Sequence, residues 1–121
     1  MKSHWIEYKG SRIFYADYTG FGNDNEALYR EVEEAVEILA KEPKKSVLVL
    51  SDFSDTVETM KNLEVVRQLV KRSNFAVIKR ALLGVSGVRR VFITTFANVT
   101  GGMKVEGFDN REDALEWLVA V

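Results

Sequence analysis

The segment Gly84-Val85-Ser86-Gly87-Val88-Arg89-Arg90 contains residue types that suit the binding of an anion. Arg89 and Arg90 fall in the first turn of a predicted helix, where the helix dipole disfavours a cation by a few tenths to about 1 kcal/mol. Free backbone N–H groups, the Ser86 hydroxyl and two guanidinium groups could bind phosphate, carboxylate or an acidic lipid headgroup. Alternatively, both arginines extend into water or pair with acids of another helix. The segment is neither a P-loop nor a complete GxGxxG pattern.

A second polar segment, from Ser51 to Thr59, contains three acids and four hydroxyl side chains. Carboxylate and hydroxyl oxygens suit a hard divalent cation, but the segment lacks any defined ligand spacing. Turns and helix caps use the same residue types, because short polar side chains bond nearby backbone donors. We therefore favour a structural role for most of the segment. Asp52, Ser54 and Thr56 are its candidates for contacting a partner or an anion, and no metal site is expected.

Basic residues are concentrated in the middle of the chain. Of 17 basic and 18 acidic residues, the stretch from Lys61 to Lys104 holds nine basic residues and one acid. This stretch therefore carries about +8 and the remainder about −9, although the formal net charge is −1. The isoelectric point of about 5.9 argues against a nucleic-acid partner, as does the lack of a basic strand interleaved with aromatic residues. The asymmetry favours self-association or an acidic protein partner.

The composition is that of a folded protein, with 46% hydrophobic residues, 29% charged residues and one proline among 121 residues. The absence of cysteine excludes disulfides, thiol nucleophiles and thiolate metal sites. The single histidine, His4, has no companions for a metal site or a catalytic triad. No signal peptide and no run of ~20 apolar residues is present. We expect a cytoplasmic protein without enzymatic activity, cofactor or membrane-spanning segment.

The N-terminal half predicts a hairpin, a helix and a strand. Residues 5–9 and 12–18 are expected to form two strands, and the side chains of the second alternate between two faces. Asn23 and Glu26 have the spacing of a capping box, and apolar residues at helical spacing then predict a helix over residues 24–41. After Pro43, residues 46–50 form an apolar run typical of a strand buried on both faces.

The C-terminal half continues this alternation. Residues 61–73 predict an amphipathic helix, residues 76–85 a buried strand, and residues 88–99 a helix rich in β-branched residues. Residues 103–107 predict an edge strand, and Asp109 with Glu112 predicts the cap of a last helix. The order is ββαβαβαβα, which predicts one α/β domain over residues 1–121 with a mixed, mostly parallel sheet packed with helices. Both polar segments would then lie at the carboxyl edge of the sheet.

This order, with the strand at residues 46–50 and the following Asp52-Phe53-Ser54, resembles STAS domains, named for sulfate transporters and anti-sigma factor antagonists. Residues 5–10, 13–18 and 109–118 resemble more closely an uncharacterised bacterial STAS-like family, which is sometimes grouped with CRAL-TRIO lipid-binding domains. The resemblance covers nearly the whole chain and rests on structural motifs. It implies a small cytoplasmic regulatory or binding domain without catalysis.

The resemblance also puts the usual phosphorylation switch in doubt. Antagonists of the STAS group carry a phosphorylatable serine at the start of the second helix, within an Asp-Ser-Ser-Gly-like stretch. Here the corresponding residues are Met60-Lys61-Asn62-Leu63, which include neither a hydroxyl side chain nor a glycine. Ser54, Thr56 and Thr59 remain as nearby candidates, because a phosphate close to a helix N-terminus is tolerated there.

The sequence therefore predicts a binding domain that engages a protein partner, a second copy of itself or a small anion at the carboxyl edge of the sheet. The predicted contact residues are Asp52, Ser54, Thr56, Ser86, Arg89 and Arg90. The alternative is a protein that binds a lipid or another apolar ligand. Phe92 and Phe96 would line its pocket, although they could equally form a dimer contact.

Overall fold

Five strands form one sheet in the order β1-β2-β3-β4-β5 in the computed structural model, which describes residues 1–57, 59–85, 87, 90–91 and 103–121. The strands are β1 (His4–Tyr8), β2 (Ser11–Asp17), β3 (Val47–Asp52), β4 (Val77–Leu83) and β5 (Lys104–Phe108). β1 and β2 form an antiparallel hairpin, whereas β2 to β5 are all parallel. The prediction of a mixed, mostly parallel sheet is confirmed.

The described helices are α1 (Asn25–Leu39), α2 (Met60–Val70) and α3 (Arg111–Val119), and a 3₁₀ helix (Lys71–Ala76) extends α2. The predicted helix over residues 88–99 lies largely outside the described residues. α1, α2 and α3 begin close to the predicted positions, because each has a polar cap followed by apolar residues at helical spacing.

Two helix caps differ from the prediction by one residue. Asp24, not Asn23, caps α1 and accepts a hydrogen bond from the Ala27 amide at 3.2 Å. Asn110, not Asp109, caps α3 and accepts from the Asp113 amide at 2.9 Å. Both segments carry two adjacent residues of the capping type, so the sequence alone does not select between them. The cap is the residue immediately before the first helical one, from which a side chain reaches the third amide of the helix.

Alternate side chains of β2 enter two separate apolar layers. Phe14, Ala16 and Tyr18 join the residues of α1 and α2, on what we call the α1 face of the sheet. Ile13 and Tyr15 join the residues of α3, on what we call the α3 face. The predicted alternation along this strand is confirmed, and the central strands are covered on both sides.

Lys79 of β4 holds the C-terminal end of α3 against the sheet. Its ammonium group donates to the carbonyl oxygens of Trp117 at 2.9 Å and Ala120 at 2.8 Å. α3 has no basic residue in its own last turn. The lysine therefore supplies the positive charge that the C-terminal end of a helix dipole favours.

Candidate functional site

The neighbouring strands β2 and β3 end in the same local structure. Asp17 and Asp52 lie opposite each other in the parallel register. One carboxylate oxygen of Asp17 accepts hydrogen bonds from the Thr19 amide at 3.1 Å and the Thr19 hydroxyl at 2.6 Å. Asp52 accepts in the same way from the Ser54 amide at 3.0 Å and the Ser54 hydroxyl at 2.7 Å. Each aspartate thus turns the chain sharply away from the end of its strand.

The loops that follow these aspartates continue to pair with each other beyond the sheet. The Gly20 amide donates to the Ser54 carbonyl at 2.9 Å, and the Gly22 amide donates to the Asp55 carbonyl at 3.0 Å. The Val57 amide in turn donates to the Gly22 carbonyl at 2.8 Å. We call residues 18–24 and 53–57 the carboxyl-edge loops. Their ladder of backbone hydrogen bonds orders the predicted contact region.

The hydroxyl of Thr56 links the two carboxyl-edge loops. It donates to the Tyr18 carbonyl and accepts from the Phe21 amide at 3.2 Å. Thr56 is buried, whereas Ser54 on the same loop is exposed. Thr56 therefore stabilises the loops, and a kinase would reach its hydroxyl only after these bonds had broken.

Asp52 is also fixed from the opposite side. Its second carboxylate oxygen accepts a hydrogen bond from the Tyr15 hydroxyl at 2.8 Å, on the α3 face of the sheet. Burial, followed by the hydrogen bond to Asp52, raises the pKa of Tyr15 well above its ordinary value. The tyrosine therefore stays protonated and remains a donor. With both oxygens occupied in a buried position, Asp52 positions the loop.

The backbone of β4 approaches the same loop closely. Gly84 has a φ of +78°, and a Cβ atom built on it would lie 2.5 Å from the Ser54 nitrogen. The Phe53 amide donates to the Leu83 carbonyl at 2.8 Å, immediately before this contact. A residue without a Cβ is thus required where the end of β4 meets the β3 loop.

No protein-family model matches the sequence, and no match is found among curated proteins. Among solved structures, the chain is similar to an uncharacterized protein of the DUF3478 family from Shewanella loihica PV-4, whose crystal structure shows a SpoIIAA-like fold. The similarity covers 96% of this chain and 91% of that one, with a TM-score of 0.65 and 17% sequence identity. This chain has a SpoIIAA-like fold. That is the STAS-like fold, so the predicted fold class and the resemblance in fold to STAS domains are confirmed.

Within the SpoIIAA-like fold, the described contact residues gather at the carboxyl edge, but they are not alike. Ser54 is exposed, whereas Thr56 and Asp52 are buried in the loop structure. Arg90 pairs with Asp109 at 2.9 Å and also donates to the Gly107 carbonyl. Arg90 therefore pairs with an acid, although Asp109 lies in the loop before α3 and not on a helix as the second alternative supposed. The other predicted contact or pocket residues, Ser86, Arg89, Phe92 and Phe96, lie outside the described residues.

Thr59, a predicted phosphorylation site, caps α2. It is exposed, and its hydroxyl oxygen accepts a hydrogen bond from the Asn62 amide at 3.0 Å. Two apolar side chains flank this cap, since Val57 is 44% exposed and Met60 is 46% exposed. The edge of the SpoIIAA-like fold therefore presents hydroxyl groups and apolar side chains side by side.

Arg80 is a buried charged residue that the sequence analysis did not single out. The alternation along β4 places it on the α1 face together with Leu82, and it is 6% exposed. Its Nη1 atom donates to the Ser51 hydroxyl at 3.0 Å. In the sequence, Lys79 and Arg80 are adjacent basic residues at the start of a predicted strand. The spacing of two residues between Arg80 and an inward leucine was the available signal.

Within the described ranges, no group of three or more His, Cys, Asp or Glu side chains could hold a metal ion. None of the helices in the same ranges has the length and apolar character needed to cross a bilayer.

Asp17 provides a test by pH, because its pKa is perturbed. Burial alone would raise the pKa of Asp17, but hydrogen bonds from Thr19 and the Lys2 ammonium at 3.4 Å outweigh it. The pKa therefore lies below its ordinary 3.8. The charged Asp17 carboxylate contributes fully to the unfolding free energy above its pKa in the unfolded chain. This contribution is lost as the pH falls through its pKa in the folded protein. We expect Asp17→Asn to flatten the dependence of the unfolding free energy on pH, measured by urea unfolding between about pH 6 and pH 2.5.

Thr19→Val is the matched control for the Asp17 prediction. It keeps the carboxylate and the Thr19 amide but removes the hydroxyl that donates at 2.6 Å. We expect a slope between those of the wild type and Asp17→Asn. Equal slopes for the wild type and Asp17→Asn would show that this carboxylate does not contribute to acid sensitivity.

Proposed function

We propose that this chain is a non-enzymatic, cytoplasmic binding domain that engages a protein partner through the carboxyl edge of its sheet. The observation that carries the proposal is the position of Val57 and Met60, each nearly half exposed, beside loops fixed by their own hydrogen bonds. Burying such side chains on association is favourable by about 25 cal/mol per Å² of apolar surface. A backbone that is already ordered loses little further entropy when it binds.

The described contacts favour a protein partner over a small anion at this edge. The guanidinium of Arg90 already interacts with Asp109 and with the Gly107 carbonyl. The Ser54 hydroxyl donates to Asp52, whose carboxylate would repel a second anion. Exposed apolar side chains such as Met60 suit a protein interface, because methionine is enriched there. Binding of a small anion by Ser86 and Arg89 stays a prediction.

Three further predictions concern the same domain. Phosphorylation of Ser54 or Thr59, which are exposed at this edge, would place negative charge inside the proposed interface. The partner could be a second copy of the chain. The alternative function, binding of a lipid or apolar ligand, predicts a ligand retained through purification, which native mass spectrometry would detect.

Photo-crosslinking tests the proposed interface directly. In cells that express the protein, a benzophenone amino acid would replace Val57. As a control, the same amino acid would replace Glu34, an exposed residue in the last two turns of α1. We expect a discrete protein adduct from position 57 and none from position 34. A homodimer would give an adduct of about twice the mass of one chain.

A second substitution makes this crosslinking specific for the edge. Met60→Glu places a charge in the proposed apolar contact, so we expect the position 57 adduct to fall by at least about tenfold. An adduct that forms equally well from position 34, or that is unaffected by Met60→Glu, would contradict the proposal. Circular dichroism of each variant would confirm that the domain remains folded.

A further inference from the structure

Arg80 places a positive charge inside the apolar layer on the α1 face of the sheet. In the strand register its neighbours are Val49 on β3 and Val105 on β5, which are 0% and 4% exposed. Arginine retains its proton at every pH at which proteins fold. A charge in such surroundings is strongly unfavourable unless an opposite charge and hydrogen-bond acceptors compensate for it.

Within the part of the chain that the structure describes, the guanidinium group has one hydrogen-bond partner, and two of its nitrogens have none. Nη1 donates to the Ser51 hydroxyl at 3.0 Å, whereas Nε and Nη2 are buried and have no partner among the described residues. Nε and Nη2 share one edge of the planar group, and their N–H bonds along that edge are parallel. This is the edge that binds two oxygens of a carboxylate or phosphate group at once.

The buried acidic side chains among the described residues bind groups other than Arg80. Glu31, which is 7% exposed, accepts from the amides of Lys2 at 3.0 and 3.2 Å and of Ser3 at 2.9 Å. Asp52 lies on the opposite face, where it binds Tyr15. None of the ion pairs within the described ranges includes Arg80.

The electrostatics of the site agree with this hydrogen-bond arrangement. Burial lowers the pKa of Arg80 below its ordinary 12.5, and the smaller effect of Tyr18 acts in the opposite direction. Burial also raises the pKa of Tyr18 to about 12, so this neighbour is uncharged near neutral pH. Tyr18 therefore does not compensate for the positive charge of the Arg80 guanidinium.

We propose that the free edge of Arg80 binds an oxyanion, a carboxylate or phosphate group, on the α1 face of the sheet. Nε and Nη2 are the two donors, and the Ser51 hydroxyl holds the guanidinium in place through Nη1. The anion is either a free ion or the headgroup of a molecule with an apolar body. In the second case, the apolar body would pack against Val49 and Val105. This site is separate from the carboxyl edge and does not depend on the protein-partner proposal.

Thermal unfolding of the wild type and of Arg80→Met tests the site and separates the two sources of anion. The probes are sodium phosphate and sodium octanoate, compared with sodium chloride at the same ionic strength. At a concentration near 100 Kd, we expect the effective probe to raise the Tm of the wild type by about 5 °C or more. Arg80→Met should show no such rise. A response to phosphate alone indicates a free ion, and a stronger response to octanoate indicates an acyl carboxylate.

Arg80→Lys is the conservative control, because it keeps the charge but loses the two-donor edge. We expect it to bind the effective probe at least about tenfold more weakly than the wild type does. The proposal is wrong if neither probe raises the Tm of the wild type more than that of Arg80→Met. It is also wrong if Arg80→Lys binds the probe as tightly as the wild type.

A measurement on the wild type alone covers the case in which the variants do not fold. With ¹⁵N-labelled arginine, the buried Nε–H of Arg80 should give a resonance that exchanges slowly with solvent. We expect this resonance to move, and to saturate, as phosphate or octanoate is added. A resonance unchanged up to concentrations that alter the exposed arginines would overturn the proposal.

Discussion

Replacing Gly84 by alanine should lower the free energy of unfolding by about 4 kcal/mol. A left-handed φ of +78° disfavours any Cβ, and this Cβ would lie 2.5 Å from the Ser54 nitrogen and 2.6 Å from the Phe53 carbonyl carbon. Both neighbours are backbone atoms, so the clash cannot be relieved by a change of rotamer. Either β4 or the β3 loop must move, and the hydrogen bonds of the carboxyl-edge loops would be disturbed. Urea unfolding followed by circular dichroism measures the loss.

Gly20→Ala separates the clash from the backbone strain. Gly20 lies on a carboxyl-edge loop with a similar φ of +72°, but a Cβ there would meet no atom within 4 Å. We expect a loss of only about 1–2 kcal/mol from the left-handed conformation. Similar losses for the two variants would mean that close backbone contact at Gly84 contributes little. A much larger loss for Gly84→Ala would confirm that the space between β4 and the β3 loop has no room for a Cβ atom.

The order of strands and helices along the chain was predictable because its determinants are local. β2 alternates between two apolar layers, and the apolar run of β3 indicates burial on both faces, which a parallel sheet between helices provides. Helices between successive strands then require right-handed crossovers. None of these steps needs knowledge of a particular side-chain contact. For this reason the fold followed from the sequence even though two helix caps were assigned one residue too early.

The role of Arg80 was not predictable in this way. A pair of adjacent basic residues on a strand projects to opposite faces, and here both faces are covered. Lys79 reaches the carbonyls at the end of α3, whereas Arg80 enters the α1 face. The register between β3 and β4 also shifts between Val47 and Leu48. The sequence does not mark this irregularity, so only the spacing of two residues from Leu82 indicates the face of the sheet on which Arg80 lies.

The carboxyl edge was predictable in location but not in structure. The sequence contains the pattern of aspartate, aromatic residue and hydroxyl residue twice, at residues 17–19 and 52–54. This recurrence was available as a signal, but only the parallel register brings the two copies together. Likewise, nothing in the local sequence distinguishes the buried Thr56 from the exposed Thr59. Burial at position 56 comes from the β2 loop, which is distant in sequence.

β3 connects the two proposed binding regions through adjacent residues. Ser51 faces the α1 side and accepts a hydrogen bond from Arg80, whereas Asp52 faces the α3 side and holds Ser54. A bound oxyanion would thus contact Arg80, which Ser51 holds in place. A bound protein partner would contact Ser54, which the adjacent Asp52 holds in place. The two proposals remain separable, because Arg80→Met leaves the hydrogen bonds of Asp52 in place and Met60→Glu leaves those of Ser51 in place.

Thr56→Val should lower the free energy of unfolding by about 2–3 kcal/mol, because it keeps the shape of the side chain but removes the hydroxyl that bonds Tyr18 and Phe21. Amide hydrogen exchange at Gly20 should also accelerate as the loop pairing weakens. The matched control is Ser54→Ala, which removes an exposed hydroxyl and should cost less than about 1 kcal/mol. Thr56→Ser should restore most of the loss, since it restores the hydroxyl. Equal losses for Thr56→Val and Ser54→Ala would show that the buried hydroxyl does not hold the carboxyl-edge loops together.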